Sequence, residues 1–194
     1  MNKGVLKIRE LGREFDLIES GGVLHHLAKP LEGWRALTDC LKPSGLMKIS
    51  LYSEIARERI VRLRELIKER GLDSSLSTMK SFREELIREI NTKGENMNWR
   101  DFFSMSEFRD LLFHVQEHRF TIPLIKSALK QLELQFAGFV VPYQVSKQFG
   151  ELYKDTGDLY DLEKWDQFEQ KHPETFRAMY GFYCQKTNEN NVAG

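Results

Sequence analysis

FDLIESGGVLHHL, residues 15 to 27, joins an apolar run, a glycine pair and two adjacent histidines, and its reading decides the fold. Phe15, Leu17 and Ile18 favour extended backbone, and Gly21 and Gly22 permit the sharp turn that ends it. Pro30 suits the first turn of a helix along which Trp34, Leu37, Thr38 and Leu41 recur at helical spacing, until the turn KPSG at 42 to 45 closes it. LMKISLY at 46 to 52 then alternates apolar and polar positions, as a second strand does. Strand, loop, helix and strand make a right-handed crossover unit, which predicts two parallel neighbours in an α/β sheet covered by helices.

Beyond this unit, SEIARERIVRLRELIKER at 53 to 70 puts Ile60, Leu63 and Ile67 on one helical face, with Ser53 as N-cap and Gly71 at the end. Its arginines and glutamates read as a solvated, ion-paired surface. A second helix runs from about Thr78 to Ile90. Trp99, Phe102, Phe103, Phe108 and Phe113 form an aromatic cluster suited to a core or a buried lid, with a helix start at Ser106. A helix opened by Pro123 precedes a buried strand at 134 to 141, the stretch from Pro142 to His172 is helical in parts, and MYGFYCQK at 179 to 186 is the last strand. The expected boundaries are one domain over 1 to 186, interrupted by helices over about 54 to 120, and a frayed tail at 187 to 194.

Charge excludes little but directs the reading. With 29 basic and 29 acidic side chains the chain is formally neutral, which argues against a dominant nucleic-acid footprint. No apolar run reaches the length of a membrane span and no signal-peptide core is present, so a cytoplasmic protein is expected. Two cysteines, Cys40 and Cys184, read as reduced core thiols.

FDLIESGGVLHHLAKP followed by LKPSGLMKISLYS resembles the fourth strand, the next helix and the fifth strand of class I S-adenosylmethionine-dependent methyltransferases. SMSEFRDLLFHVQEHRFTIPLIKSAL at 104 to 129 is similar to methyltransferase-type domains found in proteins with tetratricopeptide repeats. The resemblance implies a partial Rossmann-like sheet of family strands 4, 5, 7 and 6, in spatial order 15–20, 46–52, 179–186 and 134–141, the last two antiparallel. It also implies that the glycine-rich loop and ribose-binding carboxylate of that family fall outside these residues, leaving the C-terminal part of the fold. S-adenosylmethionine is the implied cofactor, with Glu19, Ser20, Gly21, His25 and His26 on its methionine side and Tyr52, His114, Glu117 and His118 on the substrate side. Weak or no binding by this chain alone is expected. The rival reading is a non-catalytic binding or assembly module that retains half the fold.

HVQEH at 114 to 118 also matches the H-x-x-E-H pattern of inverted zinc peptidases, although nothing in the sequence singles out a third ligand. His25 and His26, as chain neighbours, are expected to point apart, so no metal is expected there either. Glu19, at a strand end, is a carboxylate whose pKa burial would shift. The strand at 15 to 20 has apolar residues suited to burial on both faces, yet its implied first-strand neighbour is absent from this chain. Its edge is therefore expected to be covered by the N-terminal residues, a second copy or a complementing chain.

Overall fold

The computed structural model describes residues 4–93, 102, 104–113 and 117–187. They fall into two compact units, Met1–Arg57 with Gln116–Gly194, and Glu58–Val115. The first is built on a sheet whose strands are β1 (Phe15–Gly21), β2 (Leu41–Ser53), β3 (Arg119–Phe120), β4 (Leu134–Phe139) and β5 (Tyr180–Lys186). Their spatial order is β1-β2-β5-β4, with β3 paired to the end of β2. β1 and β2 are parallel, and β5 runs antiparallel to both β2 and β4. The crossover between β1 and β2 is α1 (Pro30–Asp39), with Pro30 in its first turn.

Strand alternation decides which side of the sheet is covered. Ile18, Met47, Ile49, Leu51, Phe182, Cys184, Leu134 and Phe136 join one buried cluster. The same cluster takes in Trp34 and Leu37 of α1, Ile125 and Leu129 of α5 (Ile122–Gln131), Phe149 of α6 (Tyr143–Leu152), and Trp165 and Phe168 of α7 (Leu162–Lys171). On the opposite face Leu17 and Glu19 are exposed and Lys48, Ser50 and Tyr183 are only half-buried. β1 is thus buried on one face, not two as its composition suggests. Two ion pairs, Lys42–Asp16 at 2.9 Å and Lys48–Glu19 at 2.8 Å, link it to β2. Among the described residues no strand pairs with its outer edge. The N-terminal 3-10 helix, Val5–Leu11, packs instead beside α1.

KPSG is not simply the end of a helix. α1 stops at Asp39, β2 has already begun at Leu41, and the four residues bulge out between the pairs Phe15↔Leu41 and Leu17↔Leu46. Ser44 takes φ +59° to make the bulge. A Cβ on Gly45 would lie 2.8 Å from the Lys42 carbonyl oxygen and 2.8 Å from Leu41 Cγ. Gly45→Ala is therefore expected to cost about 1–3 kcal/mol, read as a lowered melting temperature. An unchanged melting temperature would show that the bulge gives way freely.

The described residues of the second unit form the α-helices α2 (Glu58–Glu69), α3 (Leu76–Lys93) and α4 (Met105–Leu112). Ile60, Ile67, Met79, Phe82, Leu86, Ile90, Phe102, Phe108, Leu111 and Leu112 form its own core. Ser53 does not cap α2: it ends β2, a turn follows, and the helix begins at Glu58. Gly71, at φ +60°, terminates α2, with Leu72 N–H bonding back to the Ile67 carbonyl. α4 starts at Met105, one residue before Ser106, with Ser104 as N-cap accepting from Glu107 N–H. Phe102 and Phe108 meet edge to face within this core, whereas Trp99, Phe103 and the tail at 188–194 lie outside the described residues.

Candidate functional site

The carboxyl ends of β1 and β2 carry a ladder of flat side chains. β1 leaves the sheet through Gly22, at φ +69°, into a short 3-10 turn, Leu24–His26. That turn stacks the two histidines edge to face, their ring centroids 4.3 Å apart, so they do not point apart. His25 is wholly buried and its ring lies 4.1 Å from that of Tyr52, the penultimate residue of β2. The Arg57 guanidinium covers the Tyr52 ring at 3.5 Å. Arg57 Nη2 is 3.6 Å from Glu117 Oε2, both side chains nearly buried. His118 is tied in through its backbone, its N–H donating to the His25 carbonyl at 2.8 Å.

Two donors here have no protein acceptor among the described residues, Ser20 Oγ and Arg57 Nε. Burial, and after it His26 and Arg57, pull the His25 imidazole down to about 4, while the Ser50 carbonyl acts in the opposite sense. His25 is therefore a neutral ring at physiological pH. Glu117 is a carboxylate committed to the Arg57 side of the cluster.

A second polar group lies directly behind. Ser53 Oγ donates to Glu169 Oε1 at 2.6 Å and Tyr180 Oη donates to Glu169 Oε2 at 2.5 Å, with Glu169 fully buried on α7. Ser53 Oγ also accepts from Ala56 N–H at 3.1 Å. β3 holds the same turn from another side: Glu54 N–H donates to the Phe120 carbonyl at 2.8 Å, and Arg119 Nε donates to Glu54 Oε2 at 3.0 Å.

The candidate residues thus divide. Ser20, His25, His26, Tyr52, Glu117 and His118 belong to the sheet unit, and contacts join His25 to His26, Tyr52 and the His118 backbone. Gly21 ends β1 beside Ser50, its pairing partner in β2. Glu19 departs from its expected burial: alternation turns it to the open face, where its side chain is 62% exposed and bonded to Lys48. His114 lies outside the described residues. Among those described, no three His, Cys, Asp or Glu side chains are gathered as metal ligands. Arg57, Ser53 and Glu169 carry the arrangement but were not signalled by any motif. Arg57 in particular sits in a stretch whose composition reads as a solvated helix face.

No family model matches the chain. An uncharacterized protein of Synechococcus sp. (strain ATCC 27144 / PCC 6301 / SAUG 1402/1) is 28% identical over 171 residues, covering 83% of this chain and 41% of that protein. PKMT2 from Rickettsia typhi superposes with a TM-score of 0.68 at 13% identity, covering 96% of this chain and 38% of that one. The fold is a partial Rossmann-like sheet of the methyltransferase kind. PKMT2 from Rickettsia typhi in complex with AdoHcy, the demethylated form of S-adenosylmethionine, matches with a TM-score of 0.60 at 14% identity, over 95% of this chain and 38% of that one. This chain spans about two fifths of the length of each of these proteins. No described helix is long and apolar enough to cross a membrane.

Proposed function

We propose that this chain provides the C-terminal part of an S-adenosylmethionine-dependent methyltransferase domain in the cytoplasm, of the branch associated with tetratricopeptide repeats. The observation that carries the reading is positional. In open α/β sheets ligands bind beyond the carboxyl ends of the strands, and there this chain gathers buried polar groups, Ser20 Oγ and Arg57 Nε, that have no hydrogen-bond partner among the described residues. S-adenosylmethionine, when bound, supplies an electrophilic methyl group on a sulfonium. The buried Ser20 hydroxyl and the backbone of Gly21 and Gly22 suit one end of that ligand, with His25 and His26 beneath it. Tyr52, held flat between His25 and Arg57, faces the substrate side with Glu117 and His118, where the task is to orient the acceptor and exclude water. His25, neutral, adds no repulsion against a sulfonium.

The outer edge of β1 and the open sheet face are, in this proposal, where a complementing part of the fold docks. The support is the share of the relatives' length that this chain leaves unmatched, and a β1 whose Leu17 and Glu19 lie exposed among the described residues beside half-buried Lys48 and Ser50, where parallel sheets are ordinarily covered. A second copy is the competing occupant.

Because these residues hold no glycine-rich phosphate-type loop and no ribose carboxylate, the chain by itself is expected to bind S-adenosylmethionine weakly. Two missing anchors of about 1.5–3 kcal/mol each weaken binding by roughly two to four orders of magnitude. Titration of the purified chain with amide NMR tests this: the 20–26 signals should shift at roughly millimolar ligand. Micromolar affinity would overturn the divided site. No shift at 20–26 under any ligand concentration would favour the non-catalytic assembly module.

A further inference from the structure

Glu169 is not one of the ladder's side chains, yet it holds the turn that presents them. It lies on α7, more than a hundred residues from β2, at 0% exposure. Both its oxygens are taken, one by Ser53 and one by Tyr180 at the first position of β5. A hydroxyl has one proton to give. Ser53 gives its own to Glu169, which leaves its lone pairs to receive Ala56 N–H. The Ser53 carbonyl receives Arg57 N–H at 3.1 Å. The turn at 53–57 is thus hung on one serine, and that serine is oriented by one carboxyl. The turn ends at Arg57, whose guanidinium covers Tyr52.

We propose that Glu169 is a positioning residue: by accepting the Ser53 proton it fixes the turn 53–57 and so holds Arg57 over Tyr52, and loss of that acceptor releases the turn. A proton placed on the Glu169 oxygen facing Ser53 would turn that oxygen from acceptor to donor, and the Ser53 hydroxyl would have to swing its own proton to the Tyr180 oxygen, away from the orientation in which it receives Ala56 N–H. The groups facing Glu169 are Ser53 from β2, Tyr180 from β5 and, on its own helix, Asp166, whose charge adds to the desolvation that raises the Glu169 pKa. The inference is independent of methyl transfer, since it concerns the ligand-free protein.

Amide NMR and hydrogen exchange on the ligand-free chain test it. In Ser53→Ala, exchange at Ala56 should speed up about tenfold, the worth of one hydrogen bond, while the central β5 amide of Phe182 stays as protected as before. In the unmodified chain the Ala56 and Arg57 signals should titrate together with one midpoint above the ordinary carboxylate range. That titration should persist in Asp166→Asn at a lower midpoint and vanish in Glu169→Gln. Unchanged Ala56 exchange in Ser53→Ala overturns the proposal even if Glu169→Gln fails to fold. A titration that survives Glu169→Gln, or that Asp166→Asn abolishes, overturns it equally.

Discussion

Trp165→Ala is expected to lower stability by about 3–5 kcal/mol, the usual loss for an aromatic removed from a packed core. Trp165 is 1% exposed and stacks on Phe149 with ring centroids 3.8 Å apart and planes 14° from parallel. Phe139 and Phe168 meet it edge-on, and its Nε1–H donates to the Leu159 carbonyl at 3.0 Å. Truncation therefore removes the packing of α6 and α7 on each other and leaves a carbonyl without its donor. Against a total of about 5–15 kcal/mol the loss is large enough to shift a urea midpoint strongly with little change in slope. A loss under about 1 kcal/mol would mean that α6 collapses into the void.

His25 sets the response to acid. Its imidazole is neutral in the fold and is held down to about 4, whereas in an unfolded chain it takes up a proton near 6.5. Between these values the unfolded state binds more protons. The contribution of His25 is therefore complete above about pH 6.5 and lost as pH falls towards 4, by about 3 kcal/mol in all. Glu169 acts in the other sense: with its pKa raised by burial, it favours the fold most below the ordinary carboxylate value, and that benefit fades as pH rises through its folded pKa. The comparison that isolates the histidine is therefore with His25→Phe, which keeps a flat ring against Tyr52 and cannot titrate. Denaturant midpoints measured from pH 7 to 4 should fall more steeply for the unmodified chain than for the variant. Parallel slopes would show that His25 stays neutral for no energetic reason.

The strands were legible because they are marked locally, whereas their order came from the crossover unit for the first pair and from the resemblance to the methyltransferase fold for the rest. LMKISLY alternates, MYGFYCQK and LQFAGFVV are bounded by polar turns, and one helix separates the first pair. The limits of that legibility are equally physical. KPSG looks like a turn and is one, but strand pairing continues on both sides of it, which only the register with β1 reveals. β3 is two residues long and has no periodicity to show. Glu19 and Ser20 looked equivalent at a strand end, yet period-two alternation puts one in water with Lys48 and the other in the interior. Arg57 lies among Arg59, Arg62 and Arg64 in a run that reads as one charged helix surface. It is distinguished only by preceding the helix, in a turn whose shape comes from a glutamate far along the chain.

Cys40 and Cys184 are both buried, and Cys184 faces Met47 in the middle of the antiparallel pair of β2 and β5. Burial pushes the Cys184 thiol up to about 12. At neutral pH only about one Cys184 in 10^5 is then ionised in the folded molecule, so its sulfur is almost without nucleophilic character. Oxidants and alkylating reagents meet that thiol only after β5 has parted from β2. A chemical mark on Cys184 is accordingly a record of molecules that have opened, and the central register of the sheet doubles as a shield for that one sulfur.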